Sequence, residues 1–174
     1  VLVPHFEDPD FYWHLKSGEY LLSSWPLPRS DVFTYTHSGS PGILSEWLAQ
    51  IVLYRVFDTT GYFGTAVLVA ALCAFCGWLT YLSCRRQMAN PVHAMIVALA
   101  CSLFLVTAAP RPYLFTFAFF AATLFVLLEF KYARRDRLLA LLPVILLLWA
   151  NTHGGFFLGL VLIVLFAGSE WLKR

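Results

Sequence analysis

The chain is 174 residues long, 60% hydrophobic and 17% aromatic, with only 13% charged residues and a mean hydropathy of +0.71. Soluble domains carry roughly a quarter charged residues, so this composition points to a membrane protein. The formal net charge of +2 hides a lopsided distribution, because residues 1–60 hold seven acids against three bases and residues 61–174 hold three acids against nine bases. The bases sit in short clusters between apolar runs. That is a topology pattern rather than a phosphate-tracking stripe, and it argues against a nucleic-acid partner. The chain opens at Val1 without an initiator Met or signal-peptide pattern and stops at Lys173-Arg174 directly after an apolar run. It reads as a piece of a larger polytopic protein.

The most polar stretch comes first. "HFEDPDFYWHLKSG", His5 to Gly18, carries Glu7, Asp8 and Asp10 between two histidines, His5 and His14. Residues Asp10–Ser24 predict an amphipathic helix with Phe11, Leu15, Gly18 and Leu22 on one face and Asp10 available as its N-cap. "PLPRSD" breaks it, and Val32–Gly42 reads as extended loop. A second amphipathic helix is predicted over Leu44–Phe57, with Leu44, Trp47, Leu48, Ile51 and Tyr54 on its apolar face. Trp and Tyr are abundant in both, as in helices lying at a lipid–water interface. Residues 1–60 therefore form one outer region and no membrane span.

Five apolar segments follow, at 62–84, 92–109, 113–130, 138–150 and 156–168. The first three are long enough to span the bilayer, since about 20 residues suffice. The last two, of 13 residues each, would reach only about 20 Å of the ~30 Å core. Arg85-Arg86, then Lys131, Arg134, Arg135 and Arg137, then Lys173-Arg174 follow the first, third and fifth segments. Placed in the cytoplasm by the positive-inside rule, these clusters put residues 1–60, the turn "APRPY" (Ala109–Tyr113) and "NTHGG" (Asn151–Gly155) on the outer side. The expected architecture is an all-α polytopic transmembrane bundle carrying an outer loop of two interfacial helices. Cys73 and Cys76 form a CxxC inside an apolar run. With no second pair to complete four zinc ligands, they read as packing.

This sidedness gathers the unusual polar residues on one leaflet, where a costly ionisable group is a functional candidate. Asp8 and Asp10 can take a proton from a hydroxyl or hold a divalent cation through oxygen ligands. The alternative is an acidic loop with Asp10 as cap. His14 lies one turn after Asp10, and a hydrogen bond between them is expected. Glu46 is either a second acidic group or merely the first turn of its helix. Arg111, bracketed by Pro110 and Pro112, suits an anionic headgroup or a phosphate. Asn151 and His153 precede a Gly-Gly pair that permits unwound backbone lining a cavity, where His153 would contact a phosphate or an acceptor or simply cap a turn. No span interior is expected to carry an acid or base that would line a transport path. His93 and His37 give no comparable signal.

The stretches "DPDFYWHLKSGEYLL", "PLPRSDVFTYT", "SEWLAQIVLY", "RPYLFTFAFF" and "WANTHGGFFLG" resemble a bacterial family of polytopic membrane proteins with a D-x-D-x-W-W-H-L opening. That family in turn is similar to the GT-C superfamily of lipid-phosphosugar-dependent glycosyltransferases. Asp8 and Tyr12 take the outer positions of that superfamily's D-[DE]-x-x-Y pattern. The second acid is displaced to Asp10, with Pro9 where an acid is usual. The resemblance implies a multi-pass protein of the bacterial inner membrane. It implies sugar transfer from a polyprenyl-phosphate-sugar to an acceptor at the outer face, with Asp8 or Asp10 as general base and Arg111, and also His153, stabilising the departing phosphate. A metal, if any, would sit on Asp8 and Asp10. The contrasting expectation is a non-enzymatic polytopic protein, either a transporter or a lipid- or glycan-binding scaffold.

Overall fold

The computed structural model describes residues 8–24, 27–36, 38–42, 44–106 and 109–173. His5, Glu7 and His37 lie outside the described residues. Six α-helices follow one another: α1 (Pro9–Ser23), α2 (Trp47–Arg85), α3 (Pro91–Val106), α4 (Tyr113–Ala133), α5 (Leu141–Thr152) and α6 (Phe157–Trp171). Short 3-10 turns, Asp136–Ala140 and Gly154–Phe156, lead into α5 and α6. Among the described residues there is no strand, only an isolated bridge between Ser30 and Pro41 in the loop after α1. In that loop the Asp31 carboxylate accepts the backbone N–H groups of Phe33 and Thr34.

Helix α1 starts one residue earlier than the sequence suggests. Asp8, not Asp10, is the N-cap: its carboxylate accepts the Asp10 N–H at 3.0 Å, and Pro9 opens the helix. Proline suits that first position because its missing N–H has no partner to lose. The buried face of α1 is Phe11, Leu15, Gly18 and Leu21, with Leu22 exposed.

The predicted second amphipathic helix and the first span form one long run, α2, broken at Gly61. Its φ of 63° and ψ of −152° lie in a region open essentially to glycine. The break therefore falls where the amphipathic pattern gives way to the continuous apolar one. In the first half of α2 the deeply buried positions are Ala49, Gln50 and Leu53 rather than the predicted Leu44–Tyr54 stripe; of that stripe, Tyr54 packs against the core. The shift follows from the partner. Helix α1 lies so close that the Gln50 backbone and the Tyr54 side chain come up against Gly18. Phe11 and Leu15 of α1 meet Leu53, Tyr54, Phe57 and Leu68 of α2, and the Tyr12 and Tyr62 hydroxyls bond across the pair at 2.9 Å.

Gly18 sets that closeness. A Cβ there would stand 2.2 Å from the Gln50 carbonyl oxygen and 2.7 Å from the Tyr54 Cβ. Backbone cannot swing aside as a side-chain tip can. Gly18→Ala is therefore expected to push α1 off α2 and to destabilise by about 1–3 kcal/mol. Thermal unfolding in detergent measures it, and an unchanged midpoint would contradict this packing.

The bundle core lies between α2, α3 and α4, where Val69, Cys73 and Cys76 meet Leu105, Leu114 and Ala118. The CxxC cysteines are free thiols in this apolar cluster. Three helices are long and apolar enough to cross a membrane: α2, α4 and the Gly154–Trp171 run containing α6. Helix α3 runs from Pro91 to Val106 and is apolar over Pro91–Leu103; residues 107 and 108 of the expected segment 92–109 lie outside the described residues. The two segments expected to be short prove longer. Laid end to end, each 3-10 turn and its helix reach about 28 Å. Backbone hydrogen bonding runs on past the apolar residues, into Asp136 and Arg137 before α5 and Glu170 at the end of α6.

Four of the predicted inner-side bases collect at one end of the bundle. Arg86 grips Glu129 of α4 with two guanidinium nitrogens, one of them 2.9 Å from Oε2, and Arg135 approaches the same oxygen at 3.2 Å. Lys131 and Lys173 both bond Glu170, at 2.7 and 3.2 Å. Glu129 lies near the end of α4 rather than in the interior of a span, with 1% of its side chain exposed. A buried carboxylate is tolerated there because two arginines reach it. Helix α4 then stops at Arg134, whose left-handed φ of 53° turns Arg135 back toward Glu129.

Candidate functional site

The opposite end of the bundle brings together every described residue singled out above. Asp8 and Asp10 come from the start of α1, His14 from its second turn, Glu46 from the residue before α2, Arg111 from the turn before α4, and Asn151 and His153 from the end of α5. Residues as distant in the chain as Asp8 and His153 thus share one surface.

One half of the site is a clasp. The guanidinium of Arg111 takes both oxygens of Asp8 in a forked pair, through Nε and Nη2, and reaches Asp10 Oδ2 with Nη1 at 2.7 Å. Arg111 is held in place because Pro110 and Pro112 are both buried and restrict the chain on either side of it. The two aspartates differ. Asp8 caps α1, has 12% of its side chain exposed and is doubly bonded; Asp10 is 58% exposed and singly bonded. The hydrogen bond from Arg111 holds the Asp8 carboxyl below the usual carboxylate range. Two guanidinium N–H donors are hydrogen-bonded to Asp8, and Nη1 forms an ion pair with Asp10, so among the described residues further N–H donors of the five remain for an anion. The guanidinium sits between the two acids where a divalent cation would otherwise stand, and among the described residues no three His, Cys, Asp or Glu side chains are arranged for a metal ion.

The other half is built on Glu46. His153 Nε2 stands 3.4 Å from its Oε1 and His14 Nδ1 3.9 Å from its Oε2. Burial lowers the pKa of both imidazoles and raises that of Glu46. At neutral pH these are contacts of neutral rings with a carboxyl group rather than ion pairs. The expected His14–Asp10 hydrogen bond is absent among the described contacts. Instead His14 turns inward to Gln50, with Nε2 of the amide 3.4 Å from Nδ1. His14 still joins the halves, because the charges of Asp10, Arg111, Asp8 and His153 all bear on its titration.

The environment of His153 sets its tautomer. Its Nδ1 accepts the Gly155 N–H at 3.0 Å and lies 2.8 Å from Thr116 Oγ1. The Thr116 hydroxyl in turn accepts from Trp149 Nε1 at 2.9 Å, so its own proton is directed to His153. With Nδ1 an acceptor twice over, the proton of the neutral ring resides on Nε2, toward Glu46. Gly155 has to be small here, since a Cβ would meet Thr116 Oγ1 at 2.7 Å. Asn151 anchors the same turn to the interfacial region by accepting from Trp47 Nε1 at 2.9 Å.

Gln50, Thr116 and Trp149 escaped the sequence reading. Each looks like an ordinary helix residue. Only Thr116, a hydroxyl just inside an apolar segment after "RPY", carried a usable signal. The chain matches no family model, no curated protein and no solved structure, so the geometry of these residues is what bears on function.

Proposed function

We propose that this chain belongs to an integral-membrane glycosyltransferase of the bacterial inner membrane. It would transfer a sugar from a polyprenyl-phosphate-sugar to an acceptor at the outer face. The observation that carries this reading is the convergence of the Arg111 clasp and the Glu46–His14–His153 group at one end of the bundle, opposite the basic cluster around Glu129. Displacing a lipid phosphate requires a cation for the leaving group and a proton acceptor for the incoming hydroxyl, close together at the lipid–water boundary. Arg111, with N–H donors beyond those bonded to Asp8, meets the first need. The adjacent carboxyl groups meet the second. The interfacial α1 and the first half of α2 would lie at the outer surface, with Arg86, Lys131, Arg135 and Lys173 in the cytoplasm. The motif resemblance supplies the sugar donor; the geometry supplies the anion-and-proton logic.

The test uses full-length protein in liposomes supplied with labelled polyprenyl-phosphate-sugars. Asp8→Asn and Asp10→Asn are expected to cut product formation sharply while membrane insertion stays intact, because each removes a carboxylate that aims Arg111. Full activity in both single variants and in the double variant would sink the reading. Solute uptake into the liposomes without product would favour a transporter instead.

A further inference from the structure

We propose that Glu46 is the proton acceptor of this site and that His14 and His153 serve it, the clasp around Arg111 being reserved for the phosphate. The proposal rests on the glycosyl-transfer reading and assigns the division of labour within it.

The argument begins with what holds each carboxyl group. Asp8 is pinned by a forked guanidinium and by the first N–H of α1, and Asp10 forms an ion pair with the same guanidinium. A carboxylate gripped as Asp8 is has little appetite for a proton. Glu46 differs in every respect. Among the described residues no lysine or arginine lies within ion-pair distance of it, and its side chain makes no capping bond although the residue opens α2. It is 25% exposed, so a hydroxyl can reach it. The groups facing it are two neutral imidazoles, His14 from α1 and His153 from the α5–α6 turn, with Asp8, Asp10 and Arg111 beyond His14. Burial without a compensating cation tunes a carboxyl group toward neutral pH, where a general base works best.

Second, the hydrogen bonds behind His153 have a direction. The chain Trp149 Nε1–H to Thr116 hydroxyl to His153 Nδ1 leaves the ring proton on Nε2, which stands 3.4 Å from Glu46 Oε1. The other carboxyl oxygen, Oε2, lies toward His14. Third, Gln50 is buried beside His14 with its Oε1 lacking a hydrogen-bond partner among the described residues. A buried amide left half-satisfied next to an imidazole is costly, and it becomes satisfied if that imidazole gains a proton and the amide turns its oxygen to it.

The step balances as follows. The acceptor O–H bond breaks and its proton passes to the Glu46 carboxylate. The acceptor oxygen bonds to the anomeric carbon as the bond from that carbon to the lipid phosphate oxygen breaks, and the phosphate leaves with the electron pair toward Arg111. Protonated Glu46 then faces Nδ1 of His14, 3.9 Å away and shared with the Gln50 amide.

Glu46→Gln is the test, in full-length protein in liposomes with a polyprenyl-phosphate-sugar. It is expected to lower kcat by on the order of 10²-fold or more, to leave the donor KM in place, and to erase the acid limb of the pH–rate profile. Glu46→Asp should restore part of the rate. The linkage sign gives a second readout: a raised acid pKa means that folding stability is lost as pH rises through that pKa. Glu46→Gln should therefore unfold at a higher temperature than wild type at neutral pH, the gain vanishing below the ordinary glutamate range. A variant less stable at neutral pH would assign Glu46 a structural role and overturn the proposal. So would Glu46→Gln retaining rate and acid limb while Asp8→Asn or Asp10→Asn loses transfer, an outcome that leaves the glycosyl-transfer reading standing. No transfer by the wild type from any polyprenyl-phosphate-sugar supplied would overturn both.

Discussion

Glu129→Ala is expected to destabilise the protein by about 3–5 kcal/mol, the largest effect of any substitution at the basic end of the bundle. The carboxylate is buried and is the shared partner of Arg86 and Arg135. Removing it leaves the Arg86 guanidinium beside the end of α4 without its counter-charge. It also removes the side-chain partner of Arg135 just after the turn at Arg134, while the backbone bonds of that turn to the carbonyl of residue 129 remain. Thermal unfolding in detergent should show a large drop in midpoint. The double variant Arg86→Met with Glu129→Met should recover much of it, since an apolar pair of similar volume avoids the desolvation of both charges. A small effect of the single variant, or no recovery in the double, would mean that the pair is not the anchor of this end.

Arg111→Gln is the second large expected effect, with transfer lowered by on the order of 10²–10³-fold, the scale for removing one donor to a developing negative charge. Arg111→Lys should rescue little, because an ammonium cannot keep the forked bond to Asp8 while offering further N–H donors to a phosphate. The same variant predicts a pH signature in stability. The lowered pKa of Asp8 means that its contribution is present above the ordinary aspartate value of 3.8 and is lost only as pH falls through the lowered value. The stability difference between wild type and Arg111→Gln should therefore stay constant from neutral pH down to that region and shrink only in stronger acid. A difference that changed across neutral pH would implicate the histidines instead of the clasp.

Much of the helix pattern was legible because apolar periodicity and its interruptions are local. The switch from an amphipathic to a continuous apolar pattern between Phe57 and Tyr62 located the Gly61 break. "PRP" marked a chain reversal because two prolines cannot continue a helix. Faces and ends were harder. The second amphipathic helix turned a different stripe inward because α1 approaches within reach of a Gly18 Cβ, a fact about a neighbour and not about residues 44–57. Asp8 rather than Asp10 became the cap because Pro9 can take the first helical position. Glu129 passed as an ordinary charge, since nothing within α4 announces that Arg86, 43 residues away, will cover it.

The amino-acid pattern by itself determined the apolar helices, the separation of acidic and basic ends, and the list of polar residues worth watching. Each of these depends on free energies of transfer that a residue carries wherever it sits. Only the tertiary structure decided pairing. It tied Arg111 to Asp8 and Asp10, turned His14 from Asp10 to Gln50, and left Glu46 between two histidines. The reason is that hydrogen-bond and Coulomb energies depend on distances between groups far apart in the chain, so the surroundings of Asp8, Asp10 and His14 are set by residues of the "PRP" and "NTHGG" turns and by Glu46.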